Sequence, residues 1–343
     1  MTAEDSPTLP QQVCRLYELI GGYHATHLIE IARELGVWET LTANPGLASD
    51  ALAQLLGTQP FYTDVLCRTA FSFGLLERDG DEWRMAPHFD QILGAPDSTF
   101  YLGRAARVHL LLGADYADYV RHFRAGTEKP YQAHGEAFMR EVADGLKTLP
   151  RIFLDVVLPT LPALAARLEA GARVLDVGCG GGWAIVEIAE RFPKTRWVGI
   201  DIEPYSIELA RARIAEHNLT DRCEARLVKA NEPWDEASFD IATSFLVVHE
   251  IAPDLKPRVF ATIAGLLKHG GSFVVFDEVY PSTDVELQTM PARFAALAQW
   301  YEVTWGNRVN TRDELHDLWT KAGQRFSEET KFSRFYIGVA TKD

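Results

Sequence analysis

The fold is decided by the stretch Arg173-Val174-Leu175-Asp176-Val177-Gly178-Cys179-Gly180-Gly181-Gly182-Trp183. It begins with apolar residues typical of a buried strand and continues into a turn made mostly of glycine. Glycine-rich turns let the backbone approach a ligand closely, because glycine adopts conformations that other residues avoid. The apolar run Ala184 to Ala189 then predicts a helix that begins at this turn. A strand, a glycine-rich turn and a helix in this order predict a binding corner for a nucleotide-type ligand.

The spacing of the glycines indicates which ligand this corner accepts. A dinucleotide fingerprint has glycines at its first, third and sixth positions, and counting from Gly178 the sixth position is Trp183. Asp176, two residues before that first glycine, would repel a pyrophosphate but suits an amino group or a cation. Asp201 ends the next apolar stretch, Arg196 to Ile200, where a strand-end carboxylate holds ribose hydroxyls. The pattern therefore favours a positively charged nucleoside.

Four segments of the chain resemble motifs of the class I S-adenosylmethionine-dependent methyltransferases. Leu175 to Gly182 looks like the first motif, and Gly199 to Asp201 looks like the second. Phe239 to Ala242 looks like the fourth-strand motif, and Leu267 to Phe273 looks like the turn into the fifth strand. The resemblance covers residues 166–343 and implies S-adenosyl-L-methionine as the cofactor.

The resemblance also implies which residues contact that cofactor. The glycines would let the backbone approach the methionine part, while Asp201 would take the ribose hydroxyls. Asn231 stands near the position where the family commonly has an aspartate facing the adenine amino group, and an amide oxygen can accept the same hydrogen bond. Phe245 would pack beside the ligand or belong to the core. The implied cofactor-binding set is Asp176, Gly178, Gly180, Asp201, Ile202, Asn231 and Phe245.

Length and composition agree with a cytoplasmic enzyme, and the resemblance implies a small-molecule substrate. The chain has 343 residues, enough for two domains with cores of their own. Its formal net charge of -14 argues against a nucleic-acid partner, because such binding depends on lysine and arginine neutralising phosphates. The four cysteines show no metal-binding spacing, which agrees with a reduced cytoplasmic protein. Neither a secretory signal nor a membrane-spanning run is recognisable, so we expect no membrane partner.

Residues 1–96 have the pattern of a mainly helical winged-helix domain. Three helices are predicted, at Ala25 to Leu35, Leu47 to Gly57 and Phe61 to Phe73. Ser49 or Asp50 would cap the second of them. Gly74 to Met85 predicts two short strands around an Asp-Gly turn. By topology alone, such a domain would also suit a ligand-sensing regulator that binds DNA.

The charge of this domain opposes DNA binding and favours a protein contact. Residues 1–90 contain 13 aspartates and glutamates against five arginines and no lysine, a net charge of -8. The helix that would enter DNA carries several aromatic residues and a single arginine, Arg68. An acidic, aromatic helix suits burial against protein better than contact with phosphates. In the small-molecule O-methyltransferases that the chain resembles, this unit is a dimerisation domain, which implies a homodimer.

Residues 97–169 are predicted to form a helical connector that lines the substrate pocket. Aromatic residues recur there at helical spacing, a pattern that is more often core than pocket. The segment Ala137 to Arg140 resembles one that lines the substrate cavity in the family, which makes Phe138 and Met139 candidate substrate contacts. Trp305 is a third candidate, in a later stretch that also shapes the pocket.

The catalytic candidate follows the fourth strand of the resembled sheet. Methyl transfer to a hydroxyl requires alignment of the acceptor and removal of its proton, and histidine suits the second task because its unperturbed pKa lies near neutrality. In the O-methyltransferases that the chain resembles, a histidine at this position acts as the general base, and an acidic residue follows it. His249 matches the histidine, and Glu250 stands where aspartate is usual. Asp277 and Glu278 stand where related enzymes orient the base, and Glu278 is assigned to the catalytic set.

Departures from the family pattern leave a second chemistry open. The residue after Glu250 is not the usual tryptophan, and Trp305 to Thr311 only approximates the family's glycine-rich basic stretch. Some related bacterial methyltransferases that act on carbon next to a keto acid use the histidine and the next acidic residue as metal ligands. Here these would be His249 and Glu250, with Glu302 or Tyr301 as the third ligand. The leading prediction is metal-free O-methylation of a small aromatic or apolar molecule of bacterial-type secondary metabolism. The alternative is metal-assisted C-methylation of a 2-oxo acid or a related carbon acid.

Apolar strands alternate with helical stretches along residues 170–343, the predicted methyltransferase domain. Strands are predicted at Arg173 to Val177, Trp197 to Asp201, Ile241 to Phe245 and Ser272 to Phe276. This alternation predicts an α/β fold, a Rossmann-like doubly wound parallel sheet. Phe332 to Thr341 looks like the antiparallel edge strand that the family places at its C-terminus. Ligands bind outside the carboxyl ends of such strands, where Asp201, His249 and Asp277 fall.

Overall fold

The computed structural model describes residues 6–228 and 237–343. It divides between Leu111 and Leu112 into two compact units. This division lies later than the predicted boundary after residue 96, and the division into segments 1–96, 97–169 and 170–343 stays a prediction. Within the described residues, no single helix is long and apolar enough to cross a membrane, although one bent pair, Glu136–Thr160 with Pro162–Ala170, has the length and composition to do so.

The N-terminal unit is mainly helical, as predicted, with a small antiparallel sheet. Its strands follow the order β1-β3-β2, and β2 and β3 form a hairpin whose two-residue turn contains Gly80 at a φ of 56°. The elements of this unit are α1 (Leu9–Glu34), α2 (Val37–Ala43), β1 (Leu47–Ala48), α3 (Ser49–Leu56), α4 (Pro60–Ser72), β2 (Leu76–Asp79), β3 (Glu82–Met85) and α5 (Phe89–Leu93).

Two sequence predictions for this unit need correction. The predicted helix at Ala25 to Leu35 is only the last part of α1, which begins at Leu9. Ser49 is the first helical residue of α3 rather than its cap. Its hydroxyl instead accepts a hydrogen bond from Trp83 Nε1 at 2.8 Å and donates one to Asp64 at 2.9 Å. The hydroxyl therefore satisfies the indole of a core tryptophan that is 1% exposed.

The C-terminal unit has a seven-stranded sheet. Its strand order is β6-β5-β4-β7-β8-β10-β9, in which neighbours from β6 to β8 pair in parallel and β10 pairs antiparallel with both β8 and β9. The strands are β4 (Arg173–Val177), β5 (Arg196–Asp201), β6 (Cys223–Leu227), β7 (Phe239–Phe245), β8 (Leu267–Glu278), β9 (Gln324–Phe332) and β10 (Phe335–Lys342). The predicted doubly wound sheet with an antiparallel C-terminal strand is confirmed, and β9 adds a further strand outside β10.

Helices cover this sheet because its central strands are apolar on both faces. In β4, Val174 belongs to one buried cluster and its neighbour Leu175 to another, and both are 0% exposed. The helices are α6 (Ala105–Gly113), which spans the division, α7 (Tyr116–Ala125), α8 (Glu136–Gly145), α9 (Thr148–Ile152), α10 (Pro162–Ala170), α11 (Trp183–Arg191), α12 (Pro204–Glu216), α13 (Lys256–Leu266), α14 (Asp284–Leu287), α15 (Met290–Tyr301) and α16 (Arg312–Lys321). Short single turns lie at Tyr131–Ala133, Phe153–Val157, Leu158–Thr160 and Val248–Glu250.

Candidate active site

The glycine-rich turn after β4 has a backbone that favours glycine. Gly178, Gly180 and Gly182 have positive φ angles of 69°, 48° and 81°. A Cβ at Gly178 would lie 2.4 Å from a methyl carbon of Val247. A Cβ at Gly180 would meet no atom of the described residues within 4 Å, so open space borders the backbone there. The turn therefore has one closely packed side and one side on which a ligand has room.

Asp201, at the end of β5, is held against this turn. One carboxylate oxygen accepts a hydrogen bond from the backbone N–H of Gly180 and the other from that of Glu203, both at 2.9 Å. Each oxygen keeps a lone pair for a ligand hydroxyl. Burial raises the pKa of Asp201, and the hydrogen bonds from Glu203 and Gly180 oppose that shift. This geometry suits the predicted contact with ribose hydroxyls.

Asp176 lies at the switch point of the sheet, where β4 has β5 on one side and β7 on the other. Its carboxylate is 2% exposed and accepts a hydrogen bond from Thr243 Oγ1 on β7 at 2.8 Å. Burial raises the pKa of Asp176 to about 7. Burial makes the Asp176 carboxyl group costly to ionise, and a positive charge beside it would stabilise its anion. The pair Asp176 and Asp201 therefore fits a cationic S-adenosyl group better than a phosphate.

The other predicted cofactor residues have different surroundings. Ile202 follows Asp201 and is 68% exposed, so it offers an apolar surface beside the carboxylate. The ring of Phe245 packs between Phe153 and Phe276, with centroids 5.3 and 5.6 Å away, as a core side chain would. A role in cofactor contact stays a prediction for both residues. Asn231 lies outside the described residues.

His249 lies in the short turn Val248–Glu250 that follows β7, and it is held from the end of β8. Its Nδ1 atom lies 2.5 Å from Asp277 Oδ1, and its backbone N–H donates to Asp277 Oδ2 at 3.2 Å. His249 is 5% exposed and Asp277 1%. Because Asp277 takes Nδ1, the Nε2 atom is the one left for an acceptor molecule. That atom lies 3.4 Å from Glu302 Oε1.

Three carboxyl groups set the electrostatics around this imidazole. Burial lowers the pKa of His249, but Asp277 and Glu302 outweigh it and hold that pKa well above its usual value. The Glu250 side chain reaches solvent, yet protein groups surround it on most sides. Burial, with the charge of Glu302, raises the pKa of Glu250 to about 8. The two carboxylates therefore favour the imidazolium form of His249, and burial favours the neutral form of Glu250.

Glu278, which the sequence assigns to the catalytic set, contacts an arginine in the structure, and its catalytic role stays a prediction. Glu278 pairs with Arg334, whose Nη1 lies 3.0 Å from its carboxylate, and the guanidinium of Arg334 packs on the rings of Phe294 and Phe335. Asp277, the preceding residue, makes the contact with the histidine instead. Successive side chains of a strand point to opposite faces, so only one of the two can face the imidazole.

Four rings from two distant parts of the chain form an aromatic cluster, made of Tyr131, His134, Phe138 and Trp305. His134 stacks on Phe138 with centroids 4.2 Å apart, and Trp305 meets Tyr131 edge-on at 5.4 Å. Two predicted substrate residues, Phe138 and Trp305, are thereby brought together, with centroids 6.5 Å apart. Met139 is buried on the same helix, α8. Their contact with a substrate stays a prediction.

One polar atom of the aromatic cluster, Nε1 of Trp305, is buried without a hydrogen-bond partner among the described residues. The sequence did not single out Tyr131, another member of the cluster. Burial, followed by the charges of Glu250 and Asp201, raises the pKa of its phenol. The charges of one catalytic candidate and one cofactor candidate therefore both act on this phenol.

Ligand atoms of His249, Glu250 and Glu302 lie within 4.8 Å of one another. Imidazole and carboxylate groups at this spacing form a donor set that several divalent transition metals accept. The third member, Glu302, is one of the two residues, with Tyr301, that the sequence offered as a third ligand. The arrangement can thus hold a metal ion or act without one as a base and its neighbours.

Known proteins share this architecture. A family model of the methyltransferase domain matches residues 174–271, and a model of the O-methyltransferase dimerisation domain matches residues 17–88. Human N-acetylserotonin methyltransferase in complex with S-adenosylmethionine superposes with a TM-score of 0.73 at 18% identity, over 100% of this chain and 99% of that one. An O-methyltransferase family protein from Burkholderia thailandensis gives 0.73 at 17% identity, over 98% and 99%. The chain has the fold of a class I S-adenosylmethionine-dependent methyltransferase.

Within that class, the chain joins a methyltransferase domain to an O-methyltransferase dimerisation domain. The 3-hydroxy-5-methyl-1-naphthoate 3-O-methyltransferase of Streptomyces sahachiroi is 25% identical over 320 residues, 90% of this chain and 88% of that protein. The C-methyltransferase UbiE of Geobacter sp. is 32% identical over 120 residues, 34% of this chain and 50% of that protein. The chain spans about a third to a half of the length of several such curated relatives.

Proposed function

We propose that the protein transfers a methyl group from S-adenosyl-L-methionine to a hydroxyl of a small aromatic or apolar acceptor, with His249 as general base. The observation that carries this proposal is the contact of His249 Nδ1 with Asp277, because it makes Nε2 the atom that accepts a proton once the imidazole is neutral. The matched dimerisation domain and the naphthoate 3-O-methyltransferase similarity support oxygen as the methylated atom.

The chain's own residues supply positioning and proton transfer. When bound, the cofactor supplies a methyl group on a positively charged sulfur, which needs no further activation. Asp201 would hold the ribose, and the glycine-rich turn would receive the methionine part. Nε2 of His249 takes the proton of the acceptor hydroxyl as its oxygen forms the new bond to carbon and the carbon–sulfur bond breaks. Asp277 fixes the imidazole and stabilises the imidazolium that forms.

The charge of the site restricts the acceptor. Among the described residues, neither Glu250 nor Glu302 forms an ion pair with a lysine or arginine. The carboxyl groups of Asp277, Glu302 and Glu250 surround a single imidazole, so acidic groups predominate at the site. An acceptor carboxylate close to the reacting hydroxyl would therefore be repelled, while a neutral or cationic acceptor would not.

A matched pair of acceptors tests this restriction. The pair consists of a phenol that carries a carboxamide and the same phenol with a carboxylate in its place. We expect kcat/KM to be about tenfold lower or more for the carboxylate, because a negative charge about 5 Å from Glu302 costs on the order of 3 kcal/mol before screening. The measurement is methylation with isotope-labelled cofactor, followed by mass spectrometry that locates the labelled methyl group. Equal turnover of the two acceptors would contradict the restriction, and a label on carbon would contradict O-methylation.

Metal-assisted C-methylation of a 2-oxo acid is the second candidate, favoured by the convergence of His249, Glu250 and Glu302. A divalent cation held there would offset the two glutamates and bind the acceptor's carboxylate. This candidate requires metal to copurify with the protein and activity to fall on chelation. Metal analysis with an activity assay separates the two candidates, since a fully active metal-free preparation leaves only the base mechanism.

We further propose that the active form is a homodimer joined through the N-terminal unit. One stripe of α1 carries apolar residues at alternating spacings of four and three, the pattern of a helix that packs against another helix. All of them are exposed in a single chain: Leu9, Val13, Leu16, Ile20 and Tyr23. This stripe suits a second copy of the chain. The cytoplasmic location, the absence of nucleic-acid and membrane partners, and a place in secondary metabolism stay predictions.

Charge placed on that stripe is expected to separate the dimer. The double variant Leu16→Glu/Ile20→Glu puts two carboxylates in the centre of the contact, where neither could be hydrated. Arg15→Glu, on the same helix but off the stripe, is the matched control. Light scattering coupled to size-exclusion chromatography should give a dimer mass for the wild type and the control and a monomer mass for the double variant. A wild-type monomer at micromolar concentration would contradict the proposal.

A further inference from the structure

Arg213, on α12, contacts the outer side of the glycine-rich turn. Its Nη1 donates a hydrogen bond to the carbonyl oxygen of Gly181, and its Nη2 donates to Asp144 Oδ1 on α8 at 2.8 Å. The guanidinium carbon also lies 3.9 Å from the ring centroid of Trp183, the first residue of α11. The side chain is only 11% exposed. One arginine thus joins the turn, α8 and α11.

Trp183 strengthens this junction from a second direction. Lys147, just after α8, places its Nζ atom 4.3 Å from the same ring centroid. A tryptophan ring that contacts two cations is held in place by attraction between each charge and its π electrons. Trp183 occupies the position of the third glycine in a dinucleotide fingerprint, and the proposed chemistry does not use it. Its side chain is therefore explained by the contacts with Arg213 and Lys147.

The turn approaches α8 closely at Gly181. A Cβ at Gly181 would lie 2.6 Å from Arg213 Nη1 and 2.9 Å from the Cβ of Ala143 on α8. Displacement of either neighbour therefore changes the space that the turn occupies. The same helix carries Phe138 and Met139, the proposed acceptor contacts.

We propose that Arg213 is a positioning residue that couples the cofactor-binding turn to α8, so that cofactor and acceptor bind cooperatively. The proposal rests on the proposed function in that the cofactor binds the turn and the acceptor binds beside α8. Asp144 fixes one edge of the guanidinium fork, and Gly181 receives the other. The planar guanidinium of arginine donates to two partners in a fixed geometry, so displacement of one partner also displaces the other. The ammonium group of a lysine does not fix two partners in this way.

The test uses S-adenosylhomocysteine as the probe, with calorimetry for affinity and hydrogen exchange for the protection of residues 136–145. Arg213→Lys keeps the charge but removes the fork, and Asp144→Asn weakens the link from the other side. We expect each variant to weaken binding about tenfold and to reduce the ligand-dependent protection of α8. Arg211→Lys is the matched control, because Arg211 lies on the same helix but donates to Ala225 on β6.

The possible outcomes separate the coupling from the proposed function. Wild-type affinity in both variants, or weakened binding with full ligand-dependent protection of α8, would overturn the coupling. If one variant fails to fold, as judged by its thermal unfolding, the other decides the result. If the wild type does not bind S-adenosylhomocysteine, the proposed function fails first. Loss of protection in the Arg211→Lys control as well would show a general effect of α12 and would also overturn the proposal.

Discussion

The variant His249→Ala is expected to lower kcat by ~10²–10⁴-fold and to leave the affinity for S-adenosylhomocysteine within about twofold. The reason is that His249 Nε2 is the proposed proton acceptor, whereas the cofactor edge is built from Asp176, Asp201 and the glycine-rich turn. Steady-state kinetics and calorimetry check the two halves of this prediction. The control is His269→Ala, an exposed histidine on β8. A variant that binds cofactor and keeps full turnover would reject His249 as the base.

The pH dependence gives the same assignment a second test. The base must be neutral to take a proton, so the rate rises with pH as His249 loses its own proton. Because Asp277 and Glu302 hold the pKa of His249 above its usual value, this rise should be centred above about 6.5. Asp277→Asn removes a raising charge, so the rise should move to lower pH while the maximal rate falls. A midpoint that does not move would contradict a role for Asp277 in setting the basicity of His249.

Much of the fold is predictable from local pattern. The strands β4, β5, β7 and β8 are apolar runs bounded by turns, which is the pattern of parallel strands buried on both faces. The strand Cys223–Leu227 escaped prediction because it is short and contains no β-branched or aromatic residue. The strand Gln324–Phe332 is mostly polar and was also missed.

The site is predictable only where one segment contains the whole signal. The glycine-rich turn and His249 each lie in a single short motif. Successive residues of β8 point to opposite faces of the sheet. The sequence Asp277-Glu278 does not show which of the two points to the histidine. The aromatic cluster joins residues 131–138 to Trp305, and no local periodicity relates segments so distant in the chain. The only signal for Tyr131 and His134 was the aromatic and histidine content of the connector.

The variant Gly178→Ala is expected to lower kcat/KM by about 10²-fold, through cofactor affinity and geometry together. A residue with a Cβ at a φ of 69° costs roughly 1–2 kcal/mol, and the added carbon would also lie 2.4 Å from Val247. Val247 immediately precedes the turn that carries His249, so relief of the clash moves the base away from the acceptor. A displacement of about 1 Å at a reacting group is enough for a loss of this size.

Two further variants separate backbone strain from the clash. Gly57→Ala places a methyl group at a φ of 66° with no atom within 4 Å, so it should reduce stability by a similar amount and leave cofactor affinity unchanged. The double variant Gly178→Ala/Val247→Ala removes the valine methyl groups that would collide with the added carbon. It should recover part of kcat, while the backbone strain at position 178 remains. Unfolding by denaturant and calorimetry with S-adenosylhomocysteine measure the two effects. If Gly178→Ala binds cofactor like the wild type and the second alanine changes nothing, the contact between the glycine-rich turn and the catalytic turn does not control catalysis.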